Sequence, residues 1–221
     1  MELQLLAKTL FLLLSITTLL PASSGRDPDP VQDICVADMK AGVTVNGFPC
    51  KPMSEVVSDD FFSSAISKEG DTNNPSGFKV TAGNVLSFPG LNTLGLSMNR
   101  VDLAVGGINP LHVHPRATEL GFVVTGEVLV GFVTTSNVYY SKVIKAGENF
   151  VIPRGLMHFE LNVGPGKALE LNVFDSQLPG TLSAPLSLFG SKPAIPTEVL
   201  TKTFLVEPNI INLLKSKFGN Y

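Results

Sequence analysis

The chain has 221 residues, 44% of them hydrophobic and 16% charged, with a formal net charge of -3. The charged share is well under the ~25% of an average soluble domain, and a mildly acidic chain gives nucleic acid no electrostatic footing. Length allows one domain with a sizeable core or two small ones, and the composition excludes disorder, a coiled coil and a cysteine-rich mini-scaffold.

In chain order, residues 1–24 read as a secretory signal. Lys8 supplies a positive n-region, an apolar stretch runs from Leu10 to Leu20, and Pro21-Ala22-Ser23-Ser24 offers small residues for cleavage. The stretch is broken by Ser15, Thr17 and Thr18 and is too short to span a bilayer, which takes ~20 apolar residues. A secreted chain with no membrane anchor is the expectation. Secretion also decides how Cys35 and Cys50, the two cysteines, are read: in an oxidising compartment such a pair forms a disulfide and closes one small loop.

Residues 25–77 are predicted to be an irregular arm. Asp27-Pro28-Asp29-Pro30 disfavours regular structure, Ser58-Asp59-Asp60-Phe61-Phe62 suits the start of a short helix, and 70–77 is a loop by composition. From 78 to about 174 the pattern is short apolar runs between Gly, Asn and Pro, as at 94–98, 119–124, 128–133 and 168–174. Such runs predict antiparallel strands closing into a barrel or sandwich. Val101, Leu103 and Val105 are expected to face one way and Asp102 the other. The tail, 191–221, is predicted to be helical: one helix opens at Pro196-Thr197 and another at Glu207-Pro208, with Ile210, Leu213, Leu214 and Phe218 forming an apolar stripe.

The chain has three histidines, all inside the strand-rich region. His112 and His114 are two apart and project from one face of a strand. Glu119 follows at an odd step, so the chain is expected to bend or bulge near Pro115. His158 arrives on another strand after the Pro153-Arg154-Gly155 turn. Three imidazoles and a carboxylate make a metal set of borderline nitrogen and hard oxygen. A His-x-His alone is weak, but here the flanking residues form a pattern. Gly106, His112, His114, Glu119 and Gly126 stand at Gly-x5-His-x-His-x4-Glu-x6-Gly. Gly147, Pro153, Gly155, His158 and Asn162 stand at Gly-x5-Pro-x-Gly-x2-His-x3-Asn. These are the two halves of the cupin motif.

With that motif, the Asp-Pro-Asp-Pro arm, Asn99-Arg100-Val101-Asp102, Leu188-Phe189-Gly190-Ser191 and Leu214-Lys215-Ser216-Lys217-Phe218, the chain resembles the germins and germin-like proteins, secreted plant cupins. The resemblance implies an all-β fold: a β-jelly-roll barrel at 78–190 with the irregular arm before it and a C-terminal α-helical extension after it. It implies a homohexamer, a trimer of dimers, in the apoplast or cell wall. It also implies one Mn2+ per subunit on His112, His114, Glu119 and His158, and it aligns Asn99 and Asn109 with the family's two substrate-binding pocket asparagines.

Three functions follow from the resemblance. The first is oxidation of the small molecule oxalate by O2 to CO2 and H2O2, the second superoxide dismutation, and the third a metal-stabilised wall protein without turnover. With every histidine at a ligand position, proton transfer falls to Glu119, bound water or substrate. The chain has no Gly-x-Ser-x-Gly elbow and no P-loop. Arg116 and Arg154 read as structural ion-pair partners. The chain carries no N-glycosylation sequon, since Asn74-Pro75-Ser76 has proline in the middle position.

Overall fold

The computed structural model describes residues 32–43 and 47–219. The signal-peptide reading of 1–24 and the Asp27-Pro28-Asp29-Pro30 segment lie outside the described residues. Among the described residues, no helix is long and apolar enough to cross a membrane.

Among the described residues the period-2 patterning forms ten strands. They are β1 (Phe78–Gly83), β2 (Ser97–Leu103), β3 (Ile108–Val113), β4 (Glu119–Thr125), β5 (Glu127–Val133), β6 (Tyr139–Lys145), β7 (Asn149–Ile152), β8 (Met157–Asn162), β9 (Ala168–Phe174) and β10 (Leu182–Ser183). Two five-stranded antiparallel sheets result, in the orders β1-β2-β9-β4-β7 and β10-β3-β8-β5-β6. Their inner faces enclose a core built on Val101, Leu103, Val123, Val128, Val130 and Ile144. This is the expected all-β cupin barrel.

Alternation is strict on β8 and β9, where every second residue is buried. The inward positions of these strands are nevertheless mostly polar: His158, Glu160 and Asn162 on β8, and Glu170 and Asn172 between Ala168 and Phe174 on β9. An antiparallel barrel ordinarily fills such positions with apolar side chains, so these polar inward residues mark the functional interior.

Two expectations on strands need correction. Val105 does not share the inward face of Val101 and Leu103; it is 61% exposed. β2 ends at Leu103, and the Gly107 N–H donates to the Ala104 carbonyl to close a turn. Asp102 does face the other way, yet it is buried, because Arg100 pairs with it at 2.8 Å and the Gly70 N–H of the arm donates to its other oxygen. Of the run 94–98, the strand takes only Ser97 and Met98; positive φ at Thr93 and Gly95 makes the preceding residues a turn.

The arm behaves as its composition suggests, with two short 3-10 turns at Met53–Glu55 and Ser58–Phe61. Cys35 and Cys50 are disulfide-bonded. Around the bond, Ala37 bridges Cys50 and the Lys51 N–H donates to the Val36 carbonyl. Cys35, Val36 and Ala37 are buried, with the Ala37 N–H donating to Pro89 O.

Three α-helices lie among the described residues: α1 (Ala184–Phe189), inside the 78–190 range expected to be barrel, and α2 (Thr197–Phe204) and α3 (Pro208–Phe218) in the tail. The sequence reading missed α1. In α3 the buried residue is Ile211, whereas Ile210 and Leu213 of the expected stripe are 43% and 59% exposed. Leu214 and Phe218 of the stripe are half-buried, Phe218 stacking on Phe189, so the stripe packs along one edge and leaves Ile210 and Leu213 outward.

The disulfide closes a loop with a sequence separation of 15. By chain entropy this loop is worth about 3 kcal/mol. Cys35→Ser/Cys50→Ser should melt about 6–12 °C lower than the parent at this chain length, measured by calorimetry. An unchanged melting temperature would show that the arm contributes nothing to the cooperative unit.

Candidate metal centre

Four of the buried polar residues converge at one place. His112 lies near the end of β3 and His114 one residue beyond it; His158 is the second residue of β8, directly opposite His112 in the β3–β8 register. Glu119 is the first residue of β4, in the other sheet. The bend expected near Pro115 is therefore a crossover between sheets. A register shift does occur, earlier, between Asn109 and His112 on β3. Two motif glycines make the turns that deliver these residues. Gly126 turns β4 into β5 at φ +90°, where a Cβ would stand 2.6 Å from that of Ala168. Gly155, at φ +73°, donates its N–H to the His114 carbonyl and ties the His158 turn to the first histidine pair.

The imidazoles are held in one tautomer. Nδ1 of His112 lies 2.8 Å from Pro110 O, Nδ1 of His114 2.6 Å from Gly180 O, and Nδ1 of His158 2.8 Å from Leu156 O. A carbonyl oxygen only accepts, so each Nδ1 carries the proton and each Nε2 offers a lone pair. Nε2 of His158 and of His114 stand 3.0 and 3.3 Å from Oε2 of Glu119. Lone pairs of nitrogen and carboxylate oxygen aimed at one another are tolerated when a cation lies among them. The candidate ligand atoms of His112, His114, Glu119 and His158 all fall within 4.8 Å of one another, and all four residues are buried. The donor set fits a divalent metal, and the Nδ1 bonds are the outer-shell contacts that orient metal-binding histidines.

Electrostatics favour the ligand forms. Burial, and then the neighbouring His158 and His114, lower His112 to about 3, so it stays a neutral donor. Burial alone would raise Glu119; positive charge on the His114 and His158 side of Oε2, from ring protons or from a cation seated among the ligands, pulls its carboxyl below the usual range.

One level deeper, Glu160 and Glu170 are fully buried, Glu160 beside the Asn109 amide and 3.9 Å from Nε2 of His158, Glu170 beside the Asn172 amide. Burial pushes Glu160 up, and the Glu119 and Glu170 carboxylates add to it. Burial and then Glu119 push Glu170 up to about 8.

A cavity of about 530 Å³ opens onto His112, His114 and Glu119, and Asn99, Asn109 and Asn172 also line it. The structure thus brings the asparagines singled out in the sequence, Asn99 and Asn109, to the same space as the ligands. Asn172 went unnoticed in the sequence. It donates to Oε1 of Glu119 at 2.6 Å and faces Asn99 across the β2–β9 register. Its signal was the parity of 168–174, which puts it on the same face as buried Phe174. Arg154 forms an ion pair with Asp175 at 3.3 Å, as expected; Arg116 instead donates to the Leu178 carbonyl.

Residues 64–212 match the family described as Cupin. The chain is 54% identical to a germin-like protein 3-7 of Oryza sativa subsp. japonica over 216 residues, covering 96% of this chain and 93% of that one. It is 55% identical to an oxalate oxidase 2 of Hordeum vulgare over 211 residues, covering 94% of each. The chain belongs to the germin-like cupins. A solved recombinant oxalate oxidase in complex with glycolate superposes on this germin-like cupin with a TM-score of 0.86 at 56% identity, over 88% of this chain and 98% of that one. The likeness therefore extends over most of the chain.

The buried acids give a test independent of metal. The folded state holds a proton on Glu170 that the unfolded state releases above about 4.5, so Glu170 costs stability as pH rises from there toward about 8. In chelator-treated protein, urea unfolding should show Glu170→Gln gaining on the parent steadily through that range. A difference that stays constant with pH would refute the assignment.

Proposed function

We propose that this germin-like cupin is a secreted, manganese-dependent oxidoreductase of the oxalate oxidase type, converting oxalate, O2 and two protons to two CO2 and H2O2. The observation that carries the reading is the convergence of three Nδ1-anchored imidazoles and one buried carboxylate beneath a cavity lined by side-chain amides. His112, His114, Glu119 and His158 are the residues that would hold the ion. A bound manganese would supply one-electron redox chemistry and open coordination positions for substrate. Zinc tolerates the same ligands, so manganese rests on the resemblance to the germins drawn from the sequence.

The protein's own groups bind and orient. Asn99 and Asn109, both buried at the cavity wall, are assigned to hydrogen-bond the carboxylate oxygens of oxalate. The imidazoles cannot exchange protons while they serve as ligands. Glu119 is held deprotonated with Oε1 already accepting from Asn172, and the two protons consumed enter with substrate or solvent. The apolar strand and helix residues that line the cavity, Phe78, Val80, Leu186 and Phe218, limit water at the site.

The subunit is further proposed to assemble as a homohexamer, a trimer of dimers, in the apoplast. The exposed apolar residues of the tail support assembly, with Val199, Leu205 and Leu213 half-exposed or more in the single chain. Sedimentation of the secreted protein should give six times the subunit mass; a monomer would defeat this part of the proposal.

The activity is tested on protein loaded with Mn2+. Oxalate should yield H2O2, the yield should vanish on chelation, and Asn99→Ala or Asn109→Ala should cost about 10²–10³-fold in turnover, as loss of one positioned donor does elsewhere. His114→Ala should abolish both metal and activity. Superoxide consumption without oxalate turnover would replace this reading with dismutation. Neither activity in fully loaded protein would leave a structural role for the metal.

A further inference from the structure

The two oxygens of the Glu119 carboxylate have different neighbours. Oε2 faces the histidine Nε2 atoms, while Oε1 accepts a hydrogen bond from Nδ2 of Asn172 at 2.6 Å. Both residues are buried, Glu119 at 1% and Asn172 at 2% exposure. A carboxylate can only accept, so chemistry fixes which end of the amide faces it. The same amide also meets the Glu170 carboxyl, two positions back on the inward face of β9. Asparagine is a poor strand former, so its inward place on β9 is accounted for by the carboxyl groups it contacts.

We propose that Asn172 is a positioning residue of the centre: its N–H ties up Oε1, so that Glu119 presents the single oxygen Oε2 to the metal. This rests on the reading of the four ligands as a metal site. Without the bond, the carboxylate can turn about its last torsion and bring both oxygens to the ion. Three imidazoles with one carboxylate oxygen leave two of six octahedral positions open, and with two carboxylate oxygens they leave one. Asn172 thereby sets how many positions a small anion or water can occupy, and a substrate that chelates through two oxygens needs both.

The test uses full-length protein and Mn2+ alone. The parent and Asn172→Leu, which is close in size and lacks the donor, are titrated with Mn2+ by electron paramagnetic resonance, and the water proton relaxation per bound ion is measured. In the variant the Mn2+ dissociation constant should rise about 10–100-fold, and relaxation per bound ion should fall as one exchangeable water is lost. A purely structural role would lower the melting temperature and leave relaxation per bound ion unchanged. Should leucine prevent folding, Asn172→Ala, which also lacks the donor, provides the same comparison. Parent-like affinity and relaxation in either folded variant overturn the proposal. If the parent itself binds no Mn2+, the metal reading fails, and the role of Asn172 fails with it.

Discussion

Each imidazole of the centre gives its Nδ1 proton to a main-chain carbonyl, and much of the structure serves to keep those three carbonyls in place. Two of them are local: Pro110 and Leu156 each lie two residues before the histidine they hold, so the same backbone device is used on β3 and on β8. The third is distant. Gly180 supplies the acceptor for His114, and its loop is fastened by Arg116, whose N–H donates to Pro179 O and whose guanidinium donates to Leu178 O. Gly180 sits at φ +70° against that guanidinium, closer than a side chain would allow. Arg116 thus acts on the metal site through the backbone of a loop more than sixty residues away in sequence, as a hydrogen-bond donor rather than an ion-pair partner.

How much of this was legible in the sequence depends on what each feature rests on. The ligands were legible because local spacing sets them. His-x-His needs only the period of a strand, and the motif glycines and prolines mark turns that only a few residue types can make. The helices of the tail were legible from their proline starts and apolar period. Other features depend on which element lies opposite, which no single sequence displays. The crossover of Glu119 to the second sheet, the outward face of Ile210 and Leu213 in α3, and the tie from Asn172 to Glu119 are of that kind. The run 168–174 shows the boundary well: its strand character came from composition, whereas the meaning of its inward Glu170 and Asn172 comes from their neighbours across β2 and β4.

Those inward acids also bear on charge. Glu170 lies between Val101 and Val123 in the sheet register, and Glu160 is opposite Val130. Apolar neighbours and the nearby Glu119 keep protons on carboxyls that would ionise in water. The interior then carries one anion, Glu119, rather than three. With a divalent cation at the four ligands, the centre is left net positive and attracts an anionic ligand. Were both deeper acids ionised, the same cavity would be net negative and would repel it. Removing two charges from water without partners is costly, and protonation avoids that cost while preserving the field at the metal. Burial of Glu160 and Glu170 among valines is therefore compatible with anion chemistry at the centre because the burial keeps them neutral, and an environment that solvated them would work against the site above.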